Sequence, residues 1–89
     1  MYKIIYLTDR DGNVKEAFIQ EMKQNHPNMC GELLFSGWLE IGSSLCLVWD
    51  DDSNKMLRTS RIVNDVIREE GKIIVTSMNT IYTLEKCGG

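Results

Sequence analysis

The sequence predicts an α+β domain that is mainly β, with one small, strongly bent antiparallel sheet and one amphipathic helix. Short runs of β-branched and aromatic residues recur along the chain and are separated by polar turns, as in small antiparallel sheets. One segment instead repeats its apolar residues at helical spacing. At 89 residues, of which 43% are hydrophobic, the chain fits a single domain, residues 1–89, with one modest core.

The first predicted strand and the helix are separated by an Asp-Gly turn. Residues 2–8, YKIIYLT, are β-branched and aromatic, which favours a strand at least partly covered on both faces. Apolar residues then fall every four positions, at Val14, Phe18 and Met22. This spacing predicts a helix over residues 14–24, and Asn13 with Glu16 forms a capping-box pattern at its start. The second arm of a hairpin is the alternative for the same residues.

The centre of the chain predicts two more strands. Residues 29–42, MCGELLFSGWLEIG, alternate in the manner of a strand. Gly37 inside this run indicates a bulge or a sharp bend, a device that curls small sheets into barrels. Residues 45–49, LCLVW, predict a short buried strand, and the polar run DDDSN that follows predicts a loop.

The last third of the chain predicts three strands and one ambiguous segment. Residues 55–60 favour a short strand, and residues 72–78 and 80–86 form the clearest alternating patterns in the sequence. Residues 61–69 fit either a helix ended by Gly71 or a strand that turns back at EEGK. With so many short strands, we expect a strongly bent sheet or an SH3-like partial barrel, with the helix over one face or open end.

The charge balance and the apolar runs bear on partners and location. The formal net charge is -3, the pI is about 5.0 and the basic residues are dispersed. Nucleic-acid-binding proteins usually carry a basic patch, so nucleic acid is disfavoured as the main partner. The apolar runs are too short for a membrane span, so we expect a cytoplasmic protein that contacts no membrane. Small domains often gain stability by self-association, which makes a homo-oligomer a further expectation.

The cysteines and the single histidine give no sign of catalysis. Cys30, Cys46 and Cys87 are odd in number and widely spaced, which predicts reduced thiols rather than a disulfide framework. We expect Cys46 to pack as a small apolar residue and Cys87 to be exposed if the residues around it fray. His26 precedes Pro27 and is interpreted as a plain loop residue. Since acid, base and nucleophile do not group together, an enzyme is disfavoured.

Two acidic runs resemble metal-binding loops only in part. The run at residues 50–52 lacks the alternating spacing, central glycine and distal glutamate of a calcium loop. The run DRDGN at residues 9–13 lacks a bidentate acid at the right distance. We expect solvated turns at both places, with no metal and no cofactor.

Six polar residues in the last third are candidates for binding an anion. They are Arg58, Thr59, Ser60, Arg61, Asn79 and Thr80. On a curved sheet they could converge on one rim, where guanidinium, hydroxyl and amide donors suit a phosphate or an acidic protein patch. The alternative is that the Thr and Ser residues fill strand and turn positions while the arginines are solvated.

Two tryptophans are candidates for a contact surface, in which aromatic residues are enriched. Trp38 lies on the strand face opposite Leu33 and Leu39. Trp49 ends a strand beside the acidic run Asp50, Asp51 and Asp52. An acidic surface of this kind could dock on a basic patch or mimic nucleic acid. Core packing is the alternative for both rings.

The second half of the chain resembles a theme of small, mostly uncharacterised β-rich proteins from bacteriophages and mobile elements. The matching runs are GSSL at residues 42–45, LRTSRIV at 57–63 and TSMNTIYTL at 76–84. The resemblance implies a strand over Arg61–Arg68 and carries over no catalytic residue. It also implies an accessory protein that acts by binding, either blocking a host enzyme or a defence protein or sequestering a signalling nucleotide.

We therefore expect a non-enzymatic, phage-like binding protein that inhibits a host or defence protein by occupying its surface. One alternative is an oligomeric sponge that sequesters a small anionic nucleotide between subunits, using Arg58, Arg61, Asn79 and Thr80. Another is a small-barrel nucleic-acid-binding module in which Trp38 and Tyr82 act as stacking platforms.

Overall fold

The structure, a computed structural model, describes residues 1–34 and 39–87. Within these residues the elements are β1 (Tyr2–Thr8), α1 (Glu16–Asn25), β2 (Cys30–Leu34), β3 (Ser44–Trp49), β4 (Met56–Arg61), β5 (Ile67–Glu69), β6 (Lys72–Thr76) and β7 (Ile81–Lys86). The strands form one antiparallel sheet in the order β4-β3-β2-β1-β7-β6-β5. The predicted class, mainly β with one helix, is confirmed.

β1 lies at the centre of the sheet, paired with β2 on one side and with the distant β7 on the other. A register shift between Ile4 and Tyr6 interrupts the ladder to β7. This bulge changes which side chains face the core, so Ile4 and Leu7 are buried while Ile5 and Tyr6 are 41% and 50% exposed. The second face of this strand is therefore only partly covered at Ile5 and Tyr6.

One continuous stretch of chain, residues 56–69, supplies both edges of the sheet. Its first part is β4, which pairs with β3, and its last part is β5, which pairs with β6. Between them, the N–H of Ile62 donates to the carbonyl of Ser43 at 2.8 Å, and Ile62 also forms a β-bridge with Ser77. The two edges meet at this point, so the sheet is strongly bent, but it is not closed into a barrel.

The ambiguous segment 61–69 is irregular strand and not helix. Arg61 ends β4, and β5 follows after a short irregular connection. The N–H of Val63 donates to the carbonyl of Thr76 at 3.0 Å, so the backbone finds partners on the neighbouring strand. Gly71, with a φ of 72°, turns the chain from β5 into β6, as the hairpin interpretation requires.

Helix α1 begins later than the predicted segment and without the predicted cap. It covers Glu16–Asn25, Lys15 occupies the N-cap position, and no side-chain hydrogen bond caps this start of the helix. The capping box is therefore wrong: the backbone N–H of Asn13 donates instead to Asp9 Oδ1 at 2.9 Å. Val14 forms a β-bridge with β1, so the hairpin alternative holds for this one residue.

The core is built from alternate residues of β3, β6 and β7, which face inward along each strand. The helix adds the buried side chain of Met22 to this core, and Phe18 and Ile19 pack against the core in partly buried positions. Gly31 allows β2 to lie close to β3, because a Cβ there would overlap the carbonyl oxygen of Val48. The bend predicted at Gly37 lies outside the described residues. Seven side chains of the core are almost fully buried: Ile4, Leu7, Leu45, Leu47, Ile62, Val75 and Leu84.

Candidate functional site

The β4 rim, defined here as β4 with the adjacent turn Ser77–Thr80, carries all six of the predicted anion-binding residues. The bridge between Ile62 and Ser77 puts Arg61, the preceding residue, beside the turn. Arg58 lies three positions earlier, opposite Cys46 of β3. Both arginine side chains are exposed, and neither has a hydrogen-bond or ion-pair partner among the described residues. The rim therefore presents two unpaired positive charges.

The Thr-Ser pair between these arginines is divided between the fold and the surface. Thr59 is 6% exposed, and its hydroxyl accepts the N–H of Leu45 at 3.0 Å and donates to the carbonyl of Ser60 at 2.8 Å. The first bond satisfies β3 at its register shift between Ser44 and Cys46. Thr59 is thus not accessible to a ligand, contrary to its predicted role, whereas Ser60 is exposed.

The turn Ser77–Thr80 is likewise held by its own hydroxyl groups. The N–H and Oγ of Ser77 both donate to the carbonyl of Thr80, at 2.8 and 3.0 Å. Lys15 Nζ donates to Thr80 Oγ1 at 2.8 Å. Thr80 is 4% exposed and has a structural role, which corrects its place in the predicted site. Asn79 is exposed and is the accessible polar residue of this turn.

Tyr82 is buried behind the same turn, with 4% of its surface exposed. Burial raises the pKa of its phenol above the ordinary value of 10.0, and hydrogen bonds to the side chains of Thr80 and Ser77 oppose this only in part. A buried ring offers no face to a nucleobase, so Tyr82 does not supply the expected stacking platform. Trp38, the other predicted platform, lies outside the described residues.

The acidic run after β3 is mostly engaged by the protein itself. Asp51 Oδ1 lies 2.7 Å from His26 Nδ1, and Asp52 Oδ1 accepts the N–H of Asn54 at 3.1 Å. The carboxylate of Asp50 is the one member of the run without a side-chain partner among the described residues. Two of the three carboxylates are thus hydrogen-bonded within the protein, and the acidic docking surface stays a prediction.

His26 is not the plain loop residue that the sequence predicts. Its ring stacks on Trp49 with centroids 4.0 Å apart and planes 8° apart, and Asp51 holds it through Nδ1. Trp49 is 5% exposed, so core packing is the correct alternative for this ring and its predicted place on a contact surface is wrong. No motif marks the contact, because His26 and Asp51 lie 25 positions apart.

The His26–Asp51 pair has the geometry of a base and its orienting acid, as in a catalytic triad. In the described part of the chain, no hydroxyl or thiol lies within hydrogen-bonding distance of His26. Nor do residues 1–34 and 39–87 contain a group of three or more His, Cys, Asp or Glu arranged to hold a metal ion. The pair as described is therefore a packing and orienting contact.

Cys30 and Cys87 contact each other, with the two Sγ atoms 3.0 Å apart. Both are half-buried thiols, whereas the sequence predicts an exposed Cys87 only where the residues around it fray. Burial, with a smaller effect of the bond to Cys87, raises the pKa of the Cys30 thiol from 9.0 to about 11. Cys46 lies half-buried on β3. The odd number and wide spacing of the cysteines concealed this pair.

A cleft of about 630 Å³ lies beside β1 and α1, a volume typical of small-ligand pockets. Its polar side chains include Lys3, Glu16 and Lys23, all of which are exposed. Such long, solvated side chains do not fix the orientation of a ligand, so the cleft by itself specifies none. The sequence gives no sign of it, because the cleft depends on where the helix lies beside the bulged strand.

The described helix is too short to cross a membrane. Comparisons with known proteins add no assignment: no protein family, curated protein or solved structure matches this chain significantly. The function must therefore be inferred from the residues and geometry of the chain itself.

Proposed function

We propose that this protein is a non-enzymatic binding protein that occupies an extended, acidic segment of a partner protein along the free edge of β4. The observation that carries the proposal is an unpaired strand edge with two exposed arginines that have no internal partner among the described residues. The resemblance to phage proteins supports an inhibitory role of this kind, in which a host or defence protein is blocked by surface occupation.

The backbone of β4 is arranged to accept another strand. Among residues 1–34 and 39–87, β4 is the last strand on its side of the sheet, and the N–H of Trp49 donates to the carbonyl of Lys55 at 3.2 Å. Since antiparallel ladder bonds alternate, the backbone groups of Met56 and Arg58 point away from β3. Free groups of this kind bind extended peptides by adding a strand to the sheet.

The side chains on this edge select the charge of the partner. The guanidinium groups of Arg58 and Arg61 match carboxylates in bidentate geometry, and Met56, 50% exposed, adds apolar contact. A second copy of this chain is a poorer partner here, because antiparallel pairing of two such edges brings like charges together. An acidic segment of another protein satisfies both the backbone and the charge.

Binding to a synthetic peptide of alternating Glu and Val, followed by fluorescence anisotropy at low salt, tests the proposal. Arg58→Glu is expected to weaken binding by about tenfold, or ~1.4 kcal/mol, because a repulsive contact replaces an attractive one. Arg10→Glu, the same change at an exposed arginine in the loop after β1, should leave the affinity within about twofold, since Arg10 contributes no side chain to β4.

Hydrogen exchange locates the bound peptide. We expect the peptide to protect the amides of Met56 and Arg58, whereas a peptide of alternating Lys and Val should protect neither. Equal affinity in the Arg58→Glu variant, or protection confined to β5 at the opposite edge, would contradict the proposal. Gel filtration of the free protein separately measures the expected self-association.

The nucleotide-sponge alternative ranks second on the same geometry. Arg61 does lie beside the Ser77–Thr80 turn, but the hydroxyls of Ser77 and Thr80 are already bonded within the protein. A pocket there would have to rely on Arg61 and Asn79. A thermal-shift screen with nucleotides and cyclic dinucleotides separates the two proposals, since the strand-addition proposal expects no stabilisation by any of them.

A further inference from the structure

The two contacting cysteines lie on either side of the same end of β1. Cys30 is paired with Lys3 in the ladder between β1 and β2. Cys87 directly follows β7, and its backbone N–H donates to the carbonyl of Met1 at 3.0 Å. The hydrogen bonds of the sheet thus fix both cysteine backbones relative to residues 1–3.

The ladders also direct both thiols to one face. Paired residues of neighbouring strands share a face, and residues two apart on a strand do as well. Met1 and Lys3 are two apart, so their partners Cys87 and Cys30 project from the same side of the sheet. Their Sγ atoms are 3.0 Å apart, about 1 Å more than the ~2.05 Å length of a disulfide bond.

We propose that Cys30 and Cys87 are a redox modification site that closes to a disulfide on reaction with a low-molecular-weight disulfide such as oxidised glutathione. This inference is independent of peptide binding at β4. In a reducing compartment the pair stays as two thiols, and a more oxidising glutathione pool converts it to the cross-linked form.

The reaction proceeds in two exchanges. The Cys87 thiolate attacks one sulfur of oxidised glutathione, so that the glutathione S–S bond breaks, one glutathione thiolate leaves, and Cys87 carries a mixed disulfide. Cys30 then loses its proton and attacks the Cys87 sulfur, which forms the protein disulfide and releases the second glutathione thiolate. Both protein thiols are oxidised, one glutathione disulfide is reduced to two thiols, and the two protons pass to the leaving thiolates.

The raised pKa of Cys30, about 11, fits this order. Cys30 is protonated at neutral pH, and therefore the second exchange is slow there. Part of this increase in the pKa of Cys30 comes from the Cys87 thiol itself. That contribution disappears once Cys87 carries the mixed disulfide. We expect the rate of ring closure to increase by roughly tenfold per pH unit between neutral pH and the pKa of Cys30, as its thiolate fraction grows.

The cross-link would secure β7 across β1 to β2. The backbone around Cys87 is otherwise held by hydrogen bonds such as that from Lys86 N–H to the carbonyl of Gly71, at 2.7 Å. The two cysteines are 57 positions apart, so a disulfide between them closes a long loop in the unfolded chain. The cross-link lowers the entropy of the unfolded chain, which should raise the Tm by on the order of 10 °C.

The test equilibrates the full chain in glutathione buffers of increasing oxidised fraction, traps free thiols by alkylation and maps the peptides by mass spectrometry. We expect a Cys30–Cys87 linked peptide with Cys46 alkylated, a mass lower by two hydrogen atoms, and a higher Tm for the oxidised form. Cys46→Ser should leave the linked peptide and the Tm shift unchanged.

Two further variants make the outcome decisive. Cys30→Ser should stop at the mixed disulfide on Cys87, and Cys87→Ser should show no oxidation-dependent Tm shift. If either variant does not fold, the peptide map of the wild-type and Cys46→Ser proteins still decides the question. Stable glutathione adducts without a linked peptide, disulfide-bonded dimers, or a linkage through Cys46 would each overturn the proposal.

Discussion

At the scale of single residues, the side chains that look most functional in the sequence are largely used to hold the fold together. Asp51 pairs with His26, and Thr59 bonds to the backbone of β3. Asp9 accepts hydrogen bonds from the backbone N–H groups of Asn13 and Asp11. These bonds, chiefly the one from Asn13, lower the pKa of its carboxyl group. What is left for recognition is therefore a smaller set, led by the two arginines of β4.

The His26 contact can be measured directly in a Trp38→Phe background, which leaves Trp49 as the only tryptophan. His26→Ala should lower the free energy of unfolding by about 1–2 kcal/mol, because it removes an aromatic stack and a hydrogen bond. It should also shift the tryptophan emission to the red as water reaches the ring. His26→Phe keeps a stacking ring without the bond to Asp51, so its loss should be smaller.

An unchanged emission spectrum in His26→Ala would mean that the imidazole does not cover Trp49 in solution. A loss in His26→Phe as large as that in His26→Ala would assign the stability to the bond with Asp51 rather than to the stack.

At the scale of elements, the important feature is the stretch 56–69, which serves two parts of the sheet. β4 pairs with β3 before Ile62, and the chain pairs with β6 after it. This change of partner bends the sheet, and in the described part of the chain the outer side of β4 has no partner strand. The bend and the proposed binding edge thus have one cause, the change of partner at Ile62.

Thr59→Val tests the bond that supports this bend. Valine has nearly the same shape as threonine but no hydroxyl group, so the buried N–H of Leu45 loses its acceptor. We expect a loss of about 1–3 kcal/mol in urea unfolding, the cost of an unsatisfied buried donor. Ser60→Ala, at the next and exposed position, should change stability by less than about 0.5 kcal/mol. Similar losses in both variants would show that the Thr59 bond has no special role.

At the scale of the whole molecule, two groups make the fold sensitive to alkaline pH. The pKa of Cys30 rises from 9.0 to about 11, and that of Tyr82 rises above 10.0, in each case chiefly because the group is buried. Folding therefore favours the protonated form of both. As the pH increases past 9, the unfolded chain releases these protons first, so the unfolding free energy falls as pH rises.

Both groups should contribute their full stabilisation below pH 9. The contribution of Cys30 should be lost as the pH rises through about 11, and that of Tyr82 as the pH rises above 10.0. Urea unfolding across this range, with a reductant present to keep the thiols reduced, measures the slope. Cys30→Ser and Tyr82→Phe should each flatten it. Tyr6→Phe, at a ring that is 50% exposed, is the matched control. A wild-type slope that neither variant reduces would exclude both groups as its source.

The sequence by itself determined the class of the fold and most of its strands. β3, β4, β6 and β7 lie where the sequence predicted strands. For β6 and β7 the signal was the alternation of apolar residues, because a strand with one buried face imposes a period of two on its own residues. The helix was found for a similar reason, through the spacing of Phe18 and Met22. The sequence did not locate the start of the helix, because Asn13 was expected to cap it and its backbone N–H is bonded to Asp9 instead.

Only the tertiary structure decided which side chains meet. His26 with Trp49, Cys30 with Cys87, and Lys15 with Thr80 are each brought together by strand order and loop path, which leave no periodic trace in the sequence. The same holds for the edge at β4, since a strand looks alike in sequence whether one or both of its sides are paired. Local patterns report local backbone preference, whereas contacts between distant residues depend on how the whole sheet is assembled.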